Sequence, residues 1–369
     1  MLDFWSNTLM NISTLFYFVN LGIFCGCITI NVAYILTQTM NIMQDKPNKK
    51  DFKLHTKSTS FCGGIGILMA YIVVVLGGIE ISQNIDSNKS LIFHIRDFYE
   101  YAGLHFYISC CVVLCAGLIS DISRQRLKLV FFLQIFGFCI FYSLLLLLNI
   151  GHIFNVVFLF ILSCLFLFLA TNSINIIDGI NGNATLCSIA ILSSICYISY
   201  QTQSNFIVYA SGLLLGILLV FLVFNYPFGK MFLGDSGAFL LGFSIGSLLL
   251  LCVLYYGINI WYCTALLLYH MCAMLSNLVM QIIFLRNRKI SQQIRWQTHN
   301  FHLHTMMWKY FSHATTLIIN GVFMCFILFI TCYYRDTMMI FLASLVFCVI
   351  YAICFIILYK KSKNLYYKA

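Results

Sequence analysis

The residues in this chain best suited to chemistry are three isolated aspartates, each set among small or amide-bearing neighbours. Asp178 lies in TNSINIIDGING, residues 171–182. Asn172, Asn175 and Asn181 surround it with amides that can hold a polar ligand, while Gly179 and Gly182 open backbone angles that other residues resist. Asp235 stands between Gly234 and Gly237 in FNYPFGKMFLGDSGAFLLGF, where a backbone can come close to a ligand. Asp121 lies in GLISDISRQRLK. A basic stretch, 285–313, adds His299, His302, His304 and His313. Neutral imidazoles bind metals and protonated ones bind phosphate. Hard oxygen ligands suit Mg²⁺, which commonly sits between carboxylates and substrate phosphates. Basic groups and Mg²⁺ together stabilise a phosphoryl group in transfer. Set against this reading are plainer ones: a stray acid in a topology loop for Asp121, a helix N-cap acid for Asp235, and a lipid-facing basic loop for 285–313.

These residues need elements to hold them, and composition says what kind. The chain is 62% hydrophobic and 9% charged, with a mean hydropathy of +0.93. That composition belongs to a polytopic membrane protein, here a single all-α integral-membrane domain over 1–369. Apolar runs long enough to span as helices recur eleven times, near 13–37, 61–82, 104–120, 129–150, 153–171, 184–200, 206–226, 237–257, 259–284, 314–334 and 338–359. The first run is not an obvious secretory signal, because Met1–Asn11 holds Asp3 and no Lys or Arg. The 17 cysteines lie mostly inside apolar runs and read as small packing residues.

Charge then assigns the sides. Of the 21 Lys and Arg, all but Lys89, Arg96 and Arg335 fall in 38–60, 121–128, 227–236, 285–313 and the tail from Lys360. By the positive-inside rule those segments are cytoplasmic, with the N-terminus outside and the C-terminus cytoplasmic. The same face takes 172–183, so every polar motif meets the cytoplasm. The net charge of +10 follows from this bias and implies no nucleic acid. A transporter would place ionisable groups near the bilayer midplane, and the spans hold almost none beyond His105 and His270. A transporter or a non-catalytic scaffold is therefore the rival reading, and chemistry at the membrane surface is the favoured one.

NSINIIDGING resembles the NxxNxxDGxNG motif of the polyprenyl-phosphate N-acetylhexosamine-1-phosphate transferases, which begin O-antigens, teichoic-acid linkages and related glycans and have the lipid I synthase as a relative. FNYPFGKMFLGDSGAFLLGF is similar to that family's FN and GDSG stretch, HLHT at 302–305 to its HxHH loop, GLISDIS with Gln134 to its GxxDD region, and HTKSTSFCGG at 55–64 to its HxxPTPRxGG. The resemblance implies about eleven transmembrane helices and a multi-pass place in a bacterial inner membrane. It implies transfer of a sugar-1-phosphate from a UDP-N-acetylhexosamine to undecaprenyl phosphate, with Mg²⁺ (or Mn²⁺) as cofactor and a homodimer as a possible assembly. It makes Asp178 the prime metal ligand, and assigns Asp121 to the metal or lipid-phosphate site. Asp235, His302 and His304 complete the catalytic set. Lys57, Asn172, Asn175, Asn181 and Asn225 face the substrates. Departures from the pattern are Ser120 for the first aspartate of DD, Ser58, Ser60 and Phe61 for the two prolines and the arginine, His299 for an aspartate, and Thr305 for the last histidine. Thr305 argues against a lipid I synthase, and the departures together leave open a non-catalytic paralogue.

Overall fold

The computed structural model describes residues 2–45, 58–84, 104–123, 126–147, 156–202, 204–285, 302–333 and 337–366. Lys57 and His299 lie outside them. In chain order the helices are α1 (Leu2–Thr39), α2 (Gly63–Asn84), α3 (Leu104–Ile122), α4 (Leu127–Leu147) and α5 (Val156–Ile177). They continue with α6 (Asn183–Gln201), α7 (Asn205–Asn225), α8 (Gly234–Leu254), α9 (Ile260–Leu266) and α10 (Leu268–Leu285). The last three are α11 (Leu303–Tyr310), α12 (His313–Tyr333) and α13 (Thr337–Tyr366). Two short strands, β1 (Gln44–Asp45) and β2 (Thr59–Ser60), pair antiparallel beside the bundle.

Among the described residues, nine helices are long and apolar enough to cross a membrane, and α9 with α10 supplies a tenth crossing if counted as one. The chain is thus an all-α polytopic membrane protein. The eleven expected apolar runs all map onto these helices, with one difference. The run 259–284 is not one helix but two, bent by 63°. At the break the Leu267 N–H bonds back three residues to Thr264 O, at 3.1 Å, instead of four. A tightened last turn of this kind ends a helix without any Pro or Gly. The second expected run is α2, a helix of 22 residues.

Position in the bundle follows from which faces are apolar. Helix α8 runs through the centre, and every residue from Ser236 to Cys252 is buried. It packs against α3, α5 and α2. Helix α13 is the opposite case, with Ile353, Ile356, Ile357, Val346 and Val349 on its outside. No membrane protein needs to hide such residues, because lipid tails are as apolar as leucine. The described cysteines form no disulfide.

Candidate functional site

Three of the polar segments turn out to be helix rather than loop. Helix α5 continues through Ile177, so Thr171, Asn172 and Asn175 are helical and only 178–182 turns. The polar side chains permit this because they bond within the helix: Asn172 Nδ2 donates to Phe168 O at 2.9 Å and Ser173 Oγ to Ala170 O at 3.1 Å. Asp121 lies in the last turn of α3, and Asp235 in the first turn of α8. The loop 285–313 contains α11, with His302 at its N-cap.

The ends of α3, α5 and α8 meet at one end of the bundle. The tightest join is between α3 and α8. Asp235 N–H donates to Asp121 Oδ1 at 2.9 Å, and Ser236 N–H to Asp121 Oδ2 at 3.0 Å. Asp121 therefore caps a helix that starts more than a hundred residues later, satisfying two of the N–H groups that every helix start leaves open. Ser120 Oγ donates to Asp235 Oδ2 at 2.5 Å. The approach is close because Gly117 faces the α8 backbone, where a Cβ would sit 2.3 Å from Ser236 Cα. Gly234, at φ +73, makes the turn into α8 beneath Asp121. The plain reading of Asp235 as an N-cap acid is thus nearly inverted: Asp235 is the capped residue and Asp121 the cap.

Asp178 is partly buried, about one turn beyond Asn175, whose carbonyl accepts the Asp178 N–H at 3.3 Å. Burial first, then the neighbouring Asp235 and Asp121, hold its carboxyl well above the usual carboxylate range. Its side chain finds no hydrogen-bond partner among the described residues. Gly179 next to it receives the ring of His304: a Cβ on Gly179 would lie 2.6 Å from His304 Nε2. The rings of His302 and His304, both buried, stack 5.5 Å apart at 11°. So HLHT and DGING, far apart in sequence, form one surface. Replacing His302 and His304 together with Ala should leave membrane insertion intact and weaken turnover by at least tenfold, on the order of what one positioned catalytic group contributes. A double variant that turns over at the wild-type rate would return the loop to a purely solvated role.

The amides divide into two groups. Asn175 is partly exposed, three residues before Asp178. Asn172 reaches Gln134 Oε1 on α4 at 3.4 Å, which places Gln134 against the site. Asn181 is held by its carbonyl, which accepts from His313 Nε2 at 2.8 Å, while its side chain lies over Gly229. Asn225, expected to face substrate, is buried and used internally. Its Oδ1 accepts from Gly182 N–H at 2.5 Å and its Nδ2 donates to Met231 O at 2.9 Å, tying the DGING turn to the loop before α8. Sequence reading missed Gly117 and the capping role of Asp121, because both depend on a contact between distant segments. The glycine pair at 63–64 did carry a signal: Gly63 and Gly64 N–H donate to Phe232 O and Leu233 O at 3.1 and 3.3 Å.

The donor set fits a small hard cation. It offers carboxylate oxygens of Asp121, Asp178 and Asp235, hard ligands of the kind such a cation takes, with Asp178 half-buried and its side chain unbonded among the described residues. Among the described residues no group of three or more His, Cys, Asp or Glu side chains is placed to hold a metal ion. Mg²⁺ does not need one, since it is usually held by one or two carboxylates, waters and substrate phosphates.

Comparison with known proteins bears on the same segment. Residues 103–253 match the family model described as glycosyl transferase family 4. The phospho-N-acetylmuramoyl-pentapeptide-transferase of Leuconostoc mesenteroides subsp. mesenteroides is 27% identical over 186 residues, 50% of this chain and 53% of that protein. The enzyme of the same name from Clostridium beijerinckii is 38% identical over 81 residues, 22% of this chain and 25% of its own. The probable undecaprenyl-phosphate N-acetylglucosaminyl 1-phosphate transferase of Bacillus subtilis is 38% identical over 81 residues, 22% of this chain and 23% of its own. The matched stretches thus span between about a quarter and about half the length of these relatives. Thr305 pointed away from pentapeptide transferases, yet two of these three relatives are named as such. The stretch that carries Asp121, Asp178 and Asp235 is the one that the glycosyl transferase family 4 model matches, in agreement with the resemblance its motifs carry.

Proposed function

We propose that this protein transfers a sugar-1-phosphate, N-acetylhexosamine-1-phosphate, from a UDP-sugar to undecaprenyl phosphate at the cytoplasmic face of a bacterial inner membrane. The observation that carries this reading is the gathering of three aspartates at one end of the bundle, Asp121 and Asp235 at the ends of two helices and Asp178 in the turn after a third, with burial first and then the charges of Asp235 and Asp121 raising the Asp178 carboxyl. The end of a bundle is where a lipid phosphate from the bilayer and a nucleotide from water can meet.

In the reaction an oxygen of the lipid phosphate bonds to the phosphorus attached to the sugar. The bond from that phosphorus to the bridging oxygen breaks, and UMP leaves with the electron pair. A phosphate monoester has a second pKa of about 6, so near pH 7 it is already mostly dianionic and needs no strong base. Asp178 and Asp235 are the residues that would hold Mg²⁺, which supplies counter-charge to the diphosphate when bound. Asp121 fixes the α8 start behind them. His302 and His304 stack on one another against the turn that carries Asp178, with His304 at Gly179, where imidazolium can bind phosphate oxygens. Asn175 and Asn172 supply amides toward the nucleotide.

The test is purified membranes supplied with UDP-N-acetylhexosamines and undecaprenyl phosphate. UMP release with radiolabelled sugar appearing in lipid is the expected result, and a panel of donors names the sugar. No label in lipid with any donor would overturn the reading in favour of a scaffold or transporter. Orientation has its own check. A reporter fused after Ala369 should read cytoplasmic and one within 83–103 external; reports from the same side would defeat the assigned face.

A further inference from the structure

The position where the resemblance calls for an aspartate, and this chain has Ser120, is in direct contact with the site. Ser120 Oγ lies 2.5 Å from Asp235 Oδ2. The neighbouring Asp121 holds the backbone of the same residue, through Asp235 N–H at 2.9 Å. Asp235 is therefore gripped at both ends by one turn of α3, its main chain by a carboxylate and its side chain by a hydroxyl. This leaves Oδ1 of Asp235 without a hydrogen-bond partner among the described residues.

We propose that Ser120 is a positioning residue that orients the Asp235 carboxylate for a divalent cation, doing by hydrogen bonding what a second acid at this place would do by sharing the cation. The two chemistries differ in what they require. A hydroxyl donates to a carboxylate with or without metal, so Asp235 is aimed before any cation arrives. A carboxylate at 120 would face Asp235 across the same short gap, and like charges at that distance repel unless a cation lies between them. Serine thus gives a site with one charge fewer that is already ordered when empty. A hydrogen bond to a charged group is among the stronger kinds, enough to change an affinity by about tenfold or more.

The inference rests on the cation-assisted reading above, so its test avoids turnover. Mn²⁺ binding to the detergent-solubilised full-length protein is measured without substrate, by loss of the free-ion paramagnetic resonance signal, alongside thermal unfolding in EDTA. Ser120→Ala should weaken Mn²⁺ binding about tenfold, and Ser120→Thr, which keeps the hydroxyl, should restore most of it. If Ser120→Ala does not insert, Ser120→Cys, close in size but a weak donor, takes its place. Ser120→Asp should do two opposite things: lower the unfolding temperature in EDTA and tighten Mn²⁺. Equal binding by wild type and Ser120→Ala, or equal weakening by Ala and Thr, would overturn the proposal. A wild type that takes up no Mn²⁺ would overturn it together with the cation reading. A wild type that binds Mn²⁺ but labels no lipid would sink the transfer reading and leave the role of Ser120 standing.

Discussion

Asp178→Asn is expected to slow sugar-phosphate transfer by at least about 100-fold, the scale of a primary electrostatic group, and to leave the protein folded and inserted. Both halves follow from the surroundings of the carboxyl. It has no hydrogen-bond partner among the described residues, so the substitution removes no bond that holds the bundle together. Burial and two nearby carboxylates keep its proton on far above the usual range, and asparagine is nearly the shape of that protonated acid. The metal-free variant should therefore unfold at no lower a temperature than wild type, while losing the charge that a cation needs. Initial rates of lipid labelling and unfolding curves in EDTA check the two halves separately. Near-normal turnover by correctly inserted Asp178→Asn would remove this residue from the site.

Gly117→Ala should be as damaging by a different route. The added Cβ would lie 2.3 Å from Ser236 Cα and 2.6 Å from both Asp235 O and Ser236 N. All three are backbone atoms, so no side chain can swing aside. Helices α3 and α8 must part, and the bonds from Asp121 to the start of α8 open with them. Overpacking costs about 1–3 kcal/mol, and loss of a helix cap about 1 kcal/mol more. We expect a clear fall in unfolding temperature and loss of nearly all transfer, since Asp235 moves with its helix. Wild-type stability and rate in Gly117→Ala would show that this contact does not set the site.

How much of this could be read from the chain differs by feature, for physical reasons. Span positions were legible because a lipid environment demands long apolar runs, and α5, α7, α8 and α12 fall close to where those runs lie. Asp178 stood out because a lone acid among Asn and Gly beside an apolar run has few structural uses. The grouping of Asp121, Asp178 and Asp235 followed once each was placed on the same face. What was hidden was contact. Nothing in GLISDIS announces that its aspartate will cap α8, or that Ser120 will meet Asp235. The inward use of Asn225 was equally hidden, since an Asn that bonds two backbones looks in sequence like one that awaits a ligand. Helical continuation to Ile177 was masked by polar residues that satisfy one another inside the helix. The break at Leu267 carries neither Pro nor Gly, the usual signals of a kink.

The cap supplied by Asp121 also sets an order of assembly. A helix cannot leave its first N–H groups bare in a nonpolar surrounding, and α8 has its partner for Asp235 and Ser236 on α3. Helix α3 is made first, so its last turn is ready when α8 emerges. Until then Asp121 faces no backbone, Ser120 no acid, and Asp178 no third carboxylate. The winding of the first turn of α8 and the closing of the candidate site are therefore one event in biogenesis: a nascent chain that stops short of Ser236 has α3 and α5 but neither α8 nor the histidines of α11, and so holds one wall of the site and no more.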